Sequence, residues 1–456
     1  MNKSIKNSIF LLLSLIIVLS TNSCTQAENQ KSNLAYNVLF ESSDVGDVRF
    51  DIDLKLDSGK ISGGSVFKGY YDCFNFIDLL KINHFAGVKN KRLIYIEGVY
   101  EKDNNGIKFR TIFYSPIGNY YFDGRIENNK IEGKLSTKQG TIKGIINGIE
   151  KKGITKKDNY QINSNLLITT FEKNFFNPNF LTTLKYKKFK KKIISYTSSA
   201  PDDLHFVFST FYYMRNLPYS HIGLWRKLEN EEGIEKTNTQ SKEIFKYTRK
   251  GENAILTIKS FTSERGELEN QMIEILNDNP KNLIIDLRNN PGGNIAPALE
   301  LCKYLITSPR SGGYFLTQKY YNQKDRSIKE CYEFSEGDLD MFMHALKNNA
   351  CVEVKLQPKD NTLESKVYIL INQYSASTCE PIIYALKKEK NITLVGRNSA
   401  GKMLSAKEFK LRDNFYLYVP VADYITTENK RLDQVGVKPD IETKSDALEY
   451  VLNLLK

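Results

Sequence analysis

Four short stretches of this chain set chemically competent side chains beside glycines or small residues. In Ser375-Ala376-Ser377-Thr378-Cys379-Glu380, a run of hydroxyls follows the apolar stretch 368–371 and precedes a helical pattern. A hydroxyl at such a place can simply cap the helix by accepting from its free amides. Held at the positive helix end, it can instead act as a nucleophile whose developing oxyanion is stabilised by those same amides. In Asp286-Leu287-Arg288-Asn289-Asn290-Pro291-Gly292-Gly293, a strand pattern over 283–286 runs into a turn. Glycine lets backbone N–H groups come close to a ligand oxygen, so Gly292 and Gly293 are candidate oxyanion donors. The plainer reading is an ordinary strand–turn–helix connection. Lys402, in Asn398-Ser399-Ala400-Gly401-Lys402, would need its ordinary pKa of about 10.4 lowered before it could serve as a base. Otherwise it is a surface-loop lysine. His221, after Ser220, has an ordinary pKa near 6.5 and needs little tuning as a base; a lone histidine can equally be structural.

Bulk properties narrow the field. The chain has 456 residues, room for two or three domains. Its formal charge of +12 reads as a lysine-rich solvated surface. No zinc-knuckle spacing or RNA-recognition aromatic signature accompanies it, so no nucleic-acid partner is expected. The four histidines and six cysteines are scattered without a C-x-x-C pair, so neither a metal site nor any cofactor is expected. Beyond Cys24, five cysteines remain, and Cys331–Cys351 is a pair that an oxidising compartment would allow.

The elements that must position these groups fall into blocks. Lys3 and Lys6 precede the apolar stretch 9–19, too short to span a bilayer, and Ser23-Cys24 follows. Residues 1–24 therefore read as a secretory signal with a candidate lipoprotein cleavage site. Cys24 would carry the lipid, although Thr21 stands where a leucine is usual. Export to the cell envelope and a membrane anchor follow from that reading. Residues 25–33 read as a tether and 34–155 as a β-rich domain. In it Phe50, Ile52, Leu54 and Leu56 alternate with polar neighbours, and Asn128-Asn129 separates two strand patterns as a hairpin turn. Gly124, Gly133, Gly144 and Gly148 recur in similar strand contexts. Residues 156–240 read as a helical cap, with a helix starting after Pro201-Asp202-Asp203. Residues 241–456 alternate strand and helix patterns, which implies a sheet with helical cover. A sheet strand is expected from Leu411 to Pro420.

Taken together, the motifs resemble the C-terminal-processing (tail-specific) serine peptidase family, including its tricorn-core branch. Asp286 to Gly293 resembles that family's strand-turn signature and Ser375 to Glu380 its nucleophile box, whose middle serine is Ser377. Gly401-Lys402 resembles its Gly-Lys motif, with Lys402 standing 25 residues beyond Ser377. Gly436-Val437-Lys438-Pro439-Asp440-Ile441 resembles its closing motif. The resemblance covers roughly residues 160–445. It implies an α/β crotonase-like (ClpP/crotonase) catalytic core with a helical cap, preceded here by the β-rich domain. It also implies hydrolysis of polypeptides through an acyl-enzyme on Ser377, with oxyanion donors from Thr378 and from Gly292 or Gly293. Ser220-His221 resembles the Ser-His pair of the tricorn-like branch, in which Ser220 and Asp433 would orient the histidine. Two features depart from the Ser–Lys branch. Ala406 stands where a glutamine is usual, and the interval 223–254 is too short for a PDZ domain. The base is thus His221 or Lys402. A competing reading is a peptide-binding lipoprotein of the same fold without turnover.

Overall fold

The computed structural model describes residues 32–42, 46–66, 92–115, 118–151, 160–227, 244–263 and 265–456. The expected signal segment, nearly all of the tether and Cys24 lie outside the described residues.

Eight antiparallel strands form the N-terminal part: β1 (Ser32–Ser42), β2 (Gly46–Asp57), β3 (Lys60–Ser65), β4 (Tyr95–Asp103), β5 (Gly106–Ser115), β6 (Gly118–Glu127), β7 (Lys130–Ser136) and β8 (Ile142–Glu150). Each pairs with its neighbour, and β1 pairs with both β2 and β8, so the sheet closes into a barrel with no free edge. The alternation in β2 buries Phe50, Ile52, Leu54 and Leu56, as expected. Asn128 and Asn129 both take positive φ, 48° and 64°, the geometry of a two-residue hairpin turn that matches strand twist. Three of the recurring glycines, Gly124, Gly133 and Gly144, make room for aromatic rings, and Gly148 makes room for Val38. A Cβ on Gly124 would lie 2.5 Å from the ring of Phe109 directly across the ladder, and one on Gly144 would lie 2.4 Å from the ring of Phe40.

Helices α1 (Gln161–Asn174), α2 (Pro178–Leu181), α3 (Leu184–Ser198) and α4 (Asp203–Met214) follow. The lysine-rich α3 buries Tyr186, Phe189, Ile193 and Tyr196 on one face, so its basic run is the solvated side of an amphipathic helix. Asp202 caps α4 by accepting from His205 N. Asp203, one residue on, ties barrel, helices and core together. It accepts from Arg49 N at 3.2 Å and Tyr160 Oη at 2.7 Å, and pairs with Arg226.

The C-terminal part is α/β. One sheet has the order β10 (Phe245–Lys250), β11 (Asn253–Ile258), β12 (Asn282–Asp286), β16 (Lys366–Ile371), β17 (Ile392–Gly396) and β20 (Ile441–Glu442), parallel from β11 onward. Beyond β2 the barrel ladder continues through β9 (Gly223–Arg226), β19 (Phe415–Ile425), β13 (Arg310–Thr317), β15 (Cys351–Leu356) and β14 (Tyr332–Phe334), with β18 (Leu404–Lys410) on β19. The main core lies among these strands and α5 (Arg265–Asp278), α6 (Ile295–Leu305), α8 (Leu339–Asn348) and α9 (Cys379–Leu386), while the short α7 (Gln318–Asn322) buries no residue. α10 (Ala447–Leu454) closes the chain against β16 and β17. Cys331 and Cys351 form a disulfide that brackets β14 and α8. The strand expected from Leu411 begins instead at Phe415. Asp413 and Asn414, both at positive φ, turn the chain between β18 and β19.

Candidate active site

The parallel pairing of β12 with β16 brings the carboxyl ends of both strands to one edge, where ligand crevices form in such sheets. Two turns leave there and are laced together. Asn289 N donates to Asn372 Oδ1 and Asn372 Nδ2 donates to Asn289 Oδ1, each at 3.0 Å. Ala376 N donates to Asn290 O at 3.0 Å, and Thr378 Oγ1 donates to Gly293 O at 2.6 Å.

The two serines of the hydroxyl run separate cleanly. Ser375 is fully buried. It donates to Leu287 O at 2.7 Å and accepts from Asn372 N, so it staples the turn. Ser377 sits at φ 56°, a left-handed conformation that costs an L-residue about 1 kcal/mol or more. Its own backbone holds it there: Ser377 N donates to Lys402 O at 2.9 Å, and Ser377 O accepts from Glu380 N at 2.8 Å. The result is a tight elbow before α9 with the hydroxyl turned outward.

His221 reaches Ser377 from another part of the chain. It lies between α4 and β9, also at positive φ (57°). His221 Nε2 is 3.0 Å from Ser377 Oγ, and His221 Nδ1 is 2.7 Å from Ser220 Oγ. With Nε2 accepting from the Ser377 hydroxyl, Nδ1–H donates to Ser220. Burial pushes the imidazole pKa down to about 4; the Asp433 charge opposes this and the Lys402 charge adds to it. Asp433 is buried. It accepts from Ser220 N at 3.3 Å, Met403 N at 3.2 Å and Arg431 Nη2 at 3.3 Å. It thus reaches the histidine through the Ser220 segment.

Lys402 is present in this neighbourhood through its main chain. Its O accepts from Ser377 N and its N donates to Glu380 Oε2 at 2.8 Å, while the residue itself is exposed. Among the described residues its ammonium makes no hydrogen bond to Ser377.

Of the three expected oxyanion donors, the Gly292 amide is already used: it donates to Asn290 Oδ1 at 2.8 Å. The amides of Gly293 and Thr378 have no acceptor among the described residues and flank Ser377. Gly292 serves by size instead. A Cβ there would stand 2.7 Å from Ser377 Cβ and 2.9 Å from Thr378 N.

Glu380 was not singled out by sequence reasoning. Its carboxylate, fully buried in the first turn of α9, accepts from Ser399 Oγ at 2.6 Å, Gly401 N at 2.7 Å and Lys402 N. Burial pushes its pKa up, against these donors. The signal available was an acidic residue three positions after Ser377, which a first-turn dipole contact explains equally well.

Beside Ser377 opens a cleft of about 720 Å³, part of it solvent. Leu299, Phe315, Phe342, Met343, Val354 and Leu356 make it apolar, with His221, Ser377 and Thr378 at one end. No group of three or more metal-ligating side chains occurs among the described residues.

Residues 252–443 match the model of peptidase family S41. A CtpA-like serine protease of Staphylococcus haemolyticus is 25% identical over 206 residues, 45% of this chain and 36% of that protein. Carboxyl-terminal-processing peptidase 3 of Arabidopsis thaliana is 25% identical over 183 residues, 40% of this chain and 30% of that protein. The chain thus spans about a third of the length of these curated relatives. Among solved structures, a lipoprotein from Streptococcus agalactiae aligns with TM-score 0.44 and 17% identity over 67% of this chain and 99% of that one.

Proposed function

From the match of residues 252–443 to the model of peptidase family S41, we propose that this protein is a serine endopeptidase in which Ser377 attacks and His221 is the base. The observation that carries the reading is the 3.0 Å approach of His221 Nε2 to Ser377 Oγ, with Nδ1 engaged by Ser220. Lys402 is less suited to the role: it is exposed, and it meets the Ser377 turn through its carbonyl and amide rather than through its ammonium.

The Ser377 hydroxyl proton passes to His221 Nε2 as Oγ bonds the scissile carbonyl carbon. The carbonyl π pair moves to oxygen, which then accepts from the amides of Gly293 and Thr378. Collapse breaks the C–N bond, and the leaving amine takes the proton from His221. Water then attacks the acyl-enzyme by the same route in reverse, releasing the acid and Ser377. Ser220 and Asp433 act as positioning residues: the hydroxyl fixes the ring, and the carboxylate offsets the charge it gains. The apolar cleft suits an apolar substrate side chain next to the cleaved bond.

The setting is the cell envelope, with export directed by residues 1–24 and a lipid anchor on Cys24. The Cys331–Cys351 disulfide supports an oxidising compartment.

The test is cleavage of an unfolded protein by wild type, Ser377→Ala, His221→Ala and Lys402→Ala, with cut sites mapped by mass spectrometry. The first two substitutions should cut turnover by about 10⁴-fold or more, whereas Lys402→Ala should stay within about tenfold of wild type. Cuts should follow apolar residues. Full activity in Ser377→Ala would end the scheme, and loss in Lys402→Ala with His221→Ala active would reverse the base. A folded but inert wild type would favour the peptide-binding lipoprotein.

A further inference from the structure

A second cleft, of about 960 Å³ and also partly open to solvent, lies next to the apolar one. Lys173, Lys319, Lys347 and Lys407 line it, over an apolar floor that includes Leu346 and Phe409, and no aspartate or glutamate does. Among the described residues none of the four lysines pairs with a carboxylate; Lys319 Nζ donates only to Asn348 O. The acidic residues adjacent in sequence are engaged elsewhere, Glu172 by Lys190 and Glu408 by Lys227. Four ammonium groups around one cleft repel one another and raise the local concentration of anions.

The two clefts adjoin. Met343 lines both. Along β18, Leu404, Ser405 and Ala406 line the apolar cleft, and Lys407 and Phe409 line the basic one. At a strand rise of about 3.3 Å per residue, Leu404 to Lys407 spans at most about 10 Å, less for the register shift between Ser405 and Ala406, the reach of about two to three residues of extended peptide. β18 pairs with β19, and among the described residues its other edge carries no strand. A free edge of this kind can hydrogen-bond an extended peptide running beside it.

We propose that the four-lysine cleft is a substrate subsite that takes an aspartate or glutamate side chain two to four residues from the scissile bond. This rests on the peptidase reading of Ser377. The enzyme would then select polypeptides carrying an apolar residue at the cut and an acidic residue nearby in an extended segment.

The experiment uses the full chain carrying Ser377→Ala and fluorescein-labelled, C-terminally amidated peptides centred on an apolar residue. One glutamate is moved through each of four positions on either side, with glutamine peptides as controls. Glutamate at one position two to four residues from the centre should bind about five- to tenfold tighter than glutamine. That ratio should fall to about one in 0.5 M NaCl and in Lys347→Gln/Lys407→Gln, and return in Lys347→Arg/Lys407→Arg. Equal binding of glutamate and glutamine at every position would overturn the subsite. So would a lysine-dependent preference for a free C-terminal carboxylate alone. Lysine-dependent capture of an oligonucleotide or an anionic vesicle, without a glutamate effect, would do the same. Parallel cleavage by the Ser377 protein separates the two failures. An inert protein that still shows the glutamate preference defeats only the peptidase reading. An active one without that preference defeats only the subsite.

Discussion

If His221 is the base, its protonation should govern the acid limb of activity, and burial fixes where that limb falls. The imidazole is active only when neutral. Burial lowers its pKa from 6.5 to about 4, so kcat/KM should hold well below pH 6 and fall as pH drops through about 4. A lysine base would instead place the rise in activity above neutrality unless strongly desolvated. The same burial has a stability cost of definite sign. The unfolded chain takes up the proton near pH 6.5 and the folded one only near 4, so stability falls as pH drops between those values. The loss approaches about 3 kcal/mol once both states are protonated. Two substitutions should then move the limb in opposite directions. Asp433→Asn removes the charge that raises the histidine pKa, so the limb should move to lower pH. Turnover should also fall by about 10²–10³-fold, because the imidazolium formed in the reaction loses its counter-charge. Lys402→Met removes a charge that lowers that pKa, so its limb should move to higher pH. A fluorogenic peptide assay from pH 3.5 to 9, with thermal unfolding over the same range, measures all of these. A wild-type limb at or above pH 6.5, or movement of the two variants in the same direction, would refute the reasoning.

Two further outcomes test the surroundings of the site. Glu380→Gln presents an amide where three donors converge on a buried carboxylate. It should cost about 2–4 kcal/mol, read as a clear drop in Tm, and should lower kcat more than it raises KM, because Lys402 O holds the Ser377 turn; an unchanged Tm would show that the buried carboxylate carries little. Expressed in a bacterial host, the full-length chain should partition into the detergent phase, and Cys24→Ser should move it to the aqueous phase. Identical partitioning of the two would remove the lipid anchor.

Much of the fold was legible because it rests on local signals. The alternation in β2, the Asn128-Asn129 turn and the helix start at Pro201-Asp202-Asp203 each depend on a few neighbouring residues; the first two appear where the sequence places them, and the helix begins at Asp203, within that triplet. The barrel was not legible, because closure depends on β1 meeting β8 more than a hundred residues away. Its glycines were visible as a recurrence, but their reason is non-local: each clears space for a ring or side chain on a neighbouring strand. The turn at Asp413 and Asn414 was missed because the apolar residues on either side continue a strand-like pattern that two left-handed residues interrupt.

The site divides along the same line. The turns at Asp286 to Gly293 and Ser375 to Glu380 were readable as motifs, because each is a strand end feeding a helix. What no motif states is which atom each residue contributes. Gly292 looked like an amide donor and contributes its missing side chain; its N–H is spent on Asn290. Lys402 looked like an amine and contributes a carbonyl and an amide. Glu380, which no motif reading singled out, ties the 399–402 segment beneath the Ser377 turn. In each case the deciding fact is a hydrogen bond to a segment distant in sequence. The left-handed Ser377 shows why those bonds matter. A strained elbow persists only where its surroundings over-determine it, and here Lys402 O, Asn290 O and the Glu380 cluster do so together. The orientation of the hydroxyl toward His221 is therefore a property of four chain segments at once, so loosening any one of them should be felt at Ser377 before it is felt in the fold.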